Sequence, residues 1–281
     1  MDSGSNNRAH DNARALKTDI APQIPSQGDG LAELAACGPN YRTPWLARRR
    51  STAPPPVPPT SGEALSAVLP NVTLGPFSLV DRTYGRLVGD LVAGAARAVL
   101  DERPYIAYAL HVGGLNSRRD QQFVAAMSGA DTIYADGASV FLLAKLANGH
   151  QLERAATTDL AWDVLREMNL ALERPTRVAL IGGPEGLSVR AGAVLATTAA
   201  VEVVSTDHGF HQDWSPVLAR VAAADADIVI VGLGAPREMK WVEQHRLVLP
   251  SCLIMTCGGW FGFVVNDEKR APTYLQKVNL E

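Results

Sequence analysis

Two apolar segments near the end of the chain constrain the fold more than any other feature. Asp227–Val231 carries four consecutive β-branched residues and is followed by Gly232 and Gly234. Leu253–Thr256 is also apolar, and Gly258-Gly259 follows it closely. Continuous apolar runs that end at glycine are typical of parallel strands buried on both faces of a sheet. Because the carboxyl ends of parallel strands meet at one edge, we expect these glycine turns to lie together there.

The preceding sequence alternates between strand and helix patterns, which predicts an α/β fold with a parallel sheet. The predicted strands are Leu74–Asp81, Tyr105–Val112, Asp131–Val140 with a break at Asp136-Gly137, Arg177–Gly183 and Val201–Ser205. The predicted helices are Tyr84–Leu100, Arg119–Ser128, Ala138–Ala147, Leu160–Leu172 with a cap at Thr158-Asp159, Leu187–Thr198 and Val217–Ala224.

The domain organisation follows from composition. Residues 1–63 have no sustained apolar periodicity and include the proline tract Ser51–Ser61, so we predict a disordered, Pro/Ala-rich tail. Residues 64–281 then form a single α/β domain. The net charge of −3 gives no basic field that would indicate nucleic acid as a partner. No apolar stretch reaches the ~18 residues needed to span a bilayer, and no signal peptide is recognisable.

The three cysteines do not have the spacing of a metal or disulfide site. Cys37 lies far from Cys252 and Cys257, which sit in or beside a predicted buried strand, where free cysteine behaves as a small apolar residue. A reducing, cytosolic location fits this usage. His208 and His211 have no third ligand at a recognisable spacing, so no metal site is predicted.

Asp136 is the leading candidate for chemistry. It leaves a predicted buried strand for a glycine-containing turn at the ligand edge. A carboxylate in that place can be partly desolvated, which raises its pKa and suits it to general-base work. Alternatively, it caps the helix that starts near Ala138, and the local sequence favours this second interpretation.

Three glycine turns favour a phosphate-bearing ligand. They are Gly182-Gly183, Gly232-Leu233-Gly234 and Gly258-Gly259, and small residues there let backbone N–H groups approach phosphate oxygens. None matches the P-loop or the dinucleotide-binding spacing, which argues against ATP hydrolysis and weakens an NAD-dependent function. Lys269-Arg270 could stabilise charge on a diphosphate leaving group, or could form an ordinary solvated basic turn.

Five ordered segments resemble the WecG/TagA/CpsF family of bacterial glycosyltransferases. They are Tyr134–Val140 (YADGASV), Arg177–Gly186 (RVALIGGPEG), Asp207–Phe210 (DHGF), Asp227–Pro236 (DIVIVGLGAP) and Lys269–Glu281 (KRAPTYLQKVNLE). The resemblance implies a Rossmann-like, mostly parallel α/β fold. It also implies an inverting enzyme that needs neither metal nor cofactor.

Such an enzyme moves a sugar from a UDP-sugar to a polyprenyl-diphosphate-linked acceptor in cell-surface polysaccharide synthesis. The resemblance implies peripheral association with the inner face of the plasma membrane and leaves a homo-oligomer open. The aspartate of the family's Asp-Gly motif, its general base, corresponds to Asp136. The predicted substrate-binding residues are Asn116, Gly137, Gly182, Gly183, Gly234, Pro236, Glu238, Gly258, Gly259 and Arg270.

The sequence departs from the family pattern in four places. Gly114-Leu115-Asn116 keeps only the asparagine of a usual Thr-x-Asn, and Gly262 replaces an acidic residue. Glu238 replaces a glutamine, and a carboxylate facing UDP would repel it unless Arg237 or Lys240 compensates. The family normally continues past the position of Glu281 into a basic, aromatic, membrane-contacting tail, which this sequence is expected to lack. These departures favour an alternative function, that of a catalytically impaired member which binds nucleotide sugar or a partner without turnover.

Overall fold

The computed structural model describes residues 71–267. The predicted tail 1–63, Lys269-Arg270 and the rest of the C-terminal segment lie outside the described residues. Within the described range the chain forms eight strands and nine helices. The strands are β1 (Asn71–Leu74), β2 (Phe77–Val80), β3 (Tyr105–Leu110), β4 (Thr132–Ala135), β5 (Arg177–Gly182), β6 (Glu202–Asp207), β7 (Ile228–Gly232) and β8 (Leu253–Thr256). The helices are α1 (Tyr84–Leu100), α2 (Val112–Asn116), α3 (Gln121–Ser128), α4 (Gly137–Leu146), α5 (Thr157–Leu172), α6 (Leu187–Thr198), α7 (Ser215–Ala223), α8 (Arg237–His245) and α9 (Trp260–Val264).

Six strands form one all-parallel sheet in the order β4-β3-β8-β7-β5-β6. This confirms the predicted Rossmann-like α/β fold. Every residue of β7 and β8 is buried, as their continuous apolar sequences predict. The paired positions run to the strand ends, where Gly182 pairs with Gly232 and Val231 with Thr256. The loops that follow these strands therefore begin at nearly the same level.

The sheet has an apolar core on each face, because side chains alternate between faces along a strand. In β3, for example, Ile106 and Tyr108 pack on one face and Ala107 on the other. Helices α3, α4, α7 and α8 and the β1–β2 hairpin cover the first face. Helices α1, α5, α6 and α9 cover the second.

Three predicted local features are wrong. The segment predicted as one strand over Leu74–Asp81 is part of a separate antiparallel hairpin, because Gly75 (φ +60°) and Pro76 form a two-residue turn between β1 and β2. The predicted cap at Thr158-Asp159 is not formed, because α5 begins at Thr157 after Ala156. The predicted strand Tyr105–Val112 already ends at Leu110, because Val112 begins the short helix α2.

Asp81, directly after the hairpin, anchors the loop that leads into α5. Its buried carboxylate accepts hydrogen bonds from the amides of His150 (3.1 Å), Gln151 (2.8 Å) and Leu152 (2.6 Å). Burial alone would raise the pKa of Asp81, but these three donors lower it below its ordinary value. The hairpin thus fixes the approach to Thr157, the first residue of α5.

We expect Asp81→Asn to lower the free energy of unfolding by about 1–3 kcal/mol, because an amide NH₂ would then face a backbone donor. Urea unfolding measures this, with Asp101→Asn as a control that should change stability by less than about 0.5 kcal/mol, since its ion pairs are partly exposed. Because the pKa of Asp81 is lower in the folded than in the unfolded protein, ionised Asp81 stabilises the fold at pH values above the unfolded pKa of 3.8. The wild-type advantage should therefore disappear as pH falls through the folded pKa. An equal loss in both variants would contradict the anchoring role.

Candidate active site

The predicted site residues that the structure describes share one edge of the sheet. Asn116 ends α2, which follows β3, and it is exposed. The others lie at or just beyond the carboxyl ends of the strands: Asp136 and Gly137 after β4, Gly182 and Gly183 at the end of β5, Gly234 and Pro236 after β7, and Gly258 and Gly259 after β8. Arg270 lies outside the described residues. The shared edge is what a parallel sheet requires, while contact of these residues with a ligand stays a prediction.

Asp136 occupies the N-cap position of α4, but its carboxylate does not cap the helix. Its side chain makes no hydrogen bond to the α4 amides. Instead, Oδ1 accepts from the Thr157 amide (3.1 Å) and Oδ2 from the Thr157 hydroxyl (2.9 Å). The interpretation of Asp136 as a side-chain cap is therefore wrong, because the start of α5 approaches the end of β4 and supplies better-placed donors.

Tyr134 extends this contact into the core. Its phenolic oxygen lies 2.8 Å from the Thr157 hydroxyl oxygen. When Asp136 is ionised its carboxylate can only accept, so the single Thr157 hydroxyl proton points to Asp136. Tyr134 must then donate its own proton to Thr157. The fully buried Tyr134 and the first residue of α5 together fix the orientation of the Asp136 carboxylate.

The environment of Asp136 raises the pKa of its carboxyl. Burial of this half-buried residue is the largest cause, and it outweighs the Thr157 hydrogen bonds and the charges of His111 and Arg154, which lower the pKa. A carboxylate with a raised pKa is a stronger base than an exposed one. Asp136 therefore has the position and the basicity that a general base requires.

His111, the N-cap residue of α2, lies next to Asp136. Its Nδ1 accepts a hydrogen bond from the Gly113 amide (3.0 Å), so in the neutral ring the proton is on Nε2. The N–H of Asp136 donates to the carbonyl of Leu110, the residue before His111 (2.9 Å). These contacts place His111 and Asp136 side by side on neighbouring strand ends.

The glycine turns after β5, β6 and β7 pack backbone against backbone. The Gly183 amide donates to the Gly232 carbonyl (3.1 Å), and the Gly209 amide donates to the Gly183 carbonyl (2.7 Å). A Cβ on Gly182 would lie only 2.2 Å from the Gly232 oxygen, so this position requires glycine. These backbone bonds thus fix the turns to one another.

Glu238 has a different place from the one expected. Its side chain does not face the ligand edge as a surface charge but is fully buried. Its Oε2 accepts from the amides of Leu233 (3.2 Å), Gly234 (3.0 Å) and Gly258 (3.1 Å). The amides of Gly234 and Gly258, expected to be available to phosphate, therefore donate to Glu238. The cause is the first turn of α8, which directs this side chain back under the turns after β7 and β8.

Burial, with a smaller contribution from the charge of Asp136, raises the pKa of Glu238 to about 7, although the three amide donors lower it. The two cations expected to compensate this carboxylate contact other groups. Arg237 donates to the Gly209 carbonyl and lies over the exposed Phe210 ring at 5.3 Å. Lys240 pairs with Asp120.

Sequence reasoning missed Thr157 and the contact between Arg237 and Phe210. Each is a contact between segments far apart in the chain, and the position of Thr157 just after a polar loop is the only local hint. Two further properties hold for residues 71–267. No group of three His, Cys, Asp or Glu residues in this range is arranged to hold a metal ion. None of its helices is long and apolar enough to cross a bilayer.

We expect Thr157→Val to destabilise the protein by about 1–3 kcal/mol relative to Thr157→Ser, because only serine retains the hydroxyl between Tyr134 and Asp136. The valine variant should also raise the pKa of Asp136 further, since a donor to its charged form is lost. Urea unfolding and carboxyl-carbon NMR titration measure the two effects. Equal stability and equal pKa in both variants would show that the hydroxyl does not hold Asp136.

The parallel sheet, with a basic carboxylate and fixed glycine turns at the carboxyl ends of its strands, defines a Rossmann-like α/β protein with a single candidate ligand edge among the described residues. Sequence comparison gives the family. Residues 83–281 match the glycosyl transferase WecG/TagA/CpsF family, and the chain belongs to it. The matched range contains every predicted site residue, including Asp136.

One curated relative is the N-acetylglucosaminyldiphosphoundecaprenol N-acetyl-beta-D-mannosaminyltransferase of Bacillus subtilis (strain 168). It is 27% identical over 167 residues, which make up 58% of this chain and 63% of the relative. The chain therefore spans less than two thirds of the length of this relative.

Proposed function

We propose that this protein is an inverting glycosyltransferase that moves a sugar from a UDP-sugar to a polyprenyl-diphosphate-linked acceptor in bacterial cell-surface polysaccharide synthesis. The observation that carries the proposal is Asp136, a half-buried carboxylate of raised pKa held by Thr157 at the ligand edge of a family member. The name of the Bacillus subtilis relative gives a diphosphoundecaprenol-linked acceptor, which supports the same acceptor class here.

In the proposed reaction Asp136 accepts the proton of the acceptor hydroxyl as the oxygen attacks the anomeric carbon. The new glycosidic bond forms as the bond to UDP breaks, and a single displacement inverts the anomeric centre. The raised pKa of Asp136 brings its basicity closer to that needed for this transfer. The bonds from Thr157 hold the carboxylate in one orientation, which reduces the reorganisation needed during the reaction.

The diphosphate of the donor is proposed to lie near the amino end of α4 and the glycine turns. No side chain caps α4, so its first amides can donate to an anion there. The space beside Gly137 is open, because a Cβ built on this residue would meet no atom within 4 Å. Backbone donors of this kind can stabilise the charge that develops on the leaving UDP.

The proposed acceptor is consistent with exposed apolar side chains on the two helices that flank Asp136. Val112 on α2 is 54% exposed, and on α4 Leu142, Leu143 and Leu146 are exposed, the last by 83%. Helices α2 and α4 contact each other. Such a surface fits an acceptor that carries a long hydrocarbon chain, and would bring the protein to the cytoplasmic face of the plasma membrane.

A second candidate is a family member that binds nucleotide sugar without turnover. The buried Glu238 carboxyl, in place of the usual amide, and Gly262, in place of an acid, favour it. An NAD-dependent function rests only on the general fold. Transfer of labelled sugar separates the first two candidates, and binding measurements separate them from the third.

We expect Asp136→Asn to reduce transfer by ~10²–10⁴-fold, the usual contribution of a general base, while UDP affinity stays within a few-fold. Asp225→Asn is the matched control, because Asp225 is exposed near the amino end of β7, far along the sheet from Asp136. Near-normal transfer by Asp136→Asn would show that another group is the base, whereas absence of transfer by the wild type as well would favour the second candidate.

The same variant should be no less stable than wild type at neutral pH, since it removes a buried charge. The folded pKa of Asp136 lies above the unfolded 3.8, so wild-type stability should rise as pH falls through that window. Thermal melting at several pH values measures this.

We further expect UDP to bind in the presence of a chelator, and more tightly than NAD. The first amides of α4, which no side chain caps, can supply donors without a metal. Isothermal titration with EDTA, with NAD and with a UDP-sugar measures the three affinities. Loss of UDP binding in EDTA, or equal affinity for NAD, would contradict this expectation.

A further inference from the structure

We propose that Glu238 is a positioning residue whose buried carboxyl ties the turns after β7 and β8 together, and that donor affinity falls when this carboxyl loses its proton. The inference rests on the proposed function, since it concerns the affinity of the same site for a nucleotide diphosphate. It concerns this chain in particular, because a glutamine usually stands at this place in the family motif.

The geometry of Glu238 makes it the link between two strands. The β7–β8 ladder ends at the pair Val231–Thr256, followed by one more bond from the Cys257 amide to the Val231 carbonyl (2.9 Å). Beyond that point Glu238 Oε2 takes the place of the ladder by accepting from Leu233 and Gly234 on one turn and Gly258 on the other. Three donors from two turns on one oxygen fix their separation.

The second oxygen of the same carboxyl has no such role. Oε1 is buried and has no hydrogen-bond partner among the described residues. An ionised carboxylate with one bare, buried oxygen is unfavourable, whereas a proton on Oε1 removes the charge and leaves Oε2 free to accept. Both protonation states can therefore keep the turns together, and they differ mainly in charge. Burial raises the pKa of Glu238 to about 7, so both states occur near neutral pH.

The titratable groups around Glu238 determine the net charge near the proposed donor site. Asp136 follows β4, and its charge raises the pKa of Glu238. The other titratable groups that interact with its charge are Tyr108, Tyr134 and Cys257, and burial raises the pKa of each. The two tyrosines and the cysteine therefore stay neutral over the pH range of the experiment described below. The cations of its own helix contact other groups, as described above, and no described lysine or arginine forms an ion pair with Glu238.

Ionisation of Glu238 therefore adds a second negative charge to the ligand edge, beneath the turns that the diphosphate is proposed to approach. A like charge at short range in a partly buried site weakens the binding of an anion. Affinity for UDP should fall as pH rises through about 7. A glutamine in this place would keep an oxygen for the three amides and would carry no charge at any pH.

The test is isothermal titration of UDP in EDTA between pH 5.5 and 8.5 against wild type, Glu238→Gln and Glu243→Gln. Glu243 lies on the same helix, is partly exposed and pairs with Arg246, so it is the matched control. The Kd of wild type for UDP, divided by the Kd of Glu238→Gln, should rise on the order of tenfold between the lowest and the highest pH, as expected for one added like charge. Titration of UDP itself cancels in the ratio, and Glu243→Gln should follow wild type.

Identical pH profiles for wild type and Glu238→Gln would overturn the role of Glu238 and leave the proposed function intact. Absence of UDP binding by every variant at every pH would instead overturn the proposed function, and the affinity dependence with it. Should Glu238→Gln fail to fold, the wild-type amide resonances of Gly234 and Gly258 decide the matter. Their NMR shifts should titrate with a midpoint near 7, and pH-independent shifts would overturn the proposal.

Discussion

Where parallel strands end, their backbone groups lose ladder partners, and the loops that follow must satisfy those groups in some other way. In this protein the loops after β5, β6, β7 and β8 do so through bonds to one another. The turn after β5 bonds to β7 through Gly183, the turn after β6 bonds to Gly183 through Gly209, and Glu238 joins the turns after β7 and β8. These four turns of the ligand edge therefore form one connected layer rather than four independent loops.

Asp136 and Glu238 are two carboxyl groups at the same edge of the sheet that differ in their hydrogen-bond partners and in their exposure to solvent. Burial raises the pKa of both. Asp136 is held by a hydroxyl and one amide, and it remains half-buried, so it can reach a reacting hydroxyl. One oxygen of Glu238 accepts hydrogen bonds from three amides, and the side chain is fully buried. Glu238 can therefore affect a ligand only through the turns it contacts and through its charge.

The sequence predicts those parts of the molecule that depend on local patterns. The uninterrupted apolar runs of β7 and β8 identify buried parallel strands, and the break at Asp136-Gly137 places Asp136 at the edge. It does not predict Thr157 as the partner of Asp136, because that contact joins segments 21 positions apart and depends on how α5 docks. Nor does it predict the burial of Glu238, which resembles any charged residue in the first turn of an amphipathic helix. The hairpin was missed because its turn is only two residues long.

The ring contact between Trp162 and Trp260 gives the ligand edge a spectroscopic signal. Trp162 belongs to α5, the helix that begins with Thr157, and Trp260 directly follows Gly259. Their rings pack edge to face at 5.7 Å, and Trp260 is almost fully buried. Two indoles at this separation couple electronically, so their near-ultraviolet circular dichroism and emission depend on their relative orientation. The spectra of these two tryptophans therefore report on how α5, whose first residue contacts Asp136, packs against α9, which follows the last glycine turn.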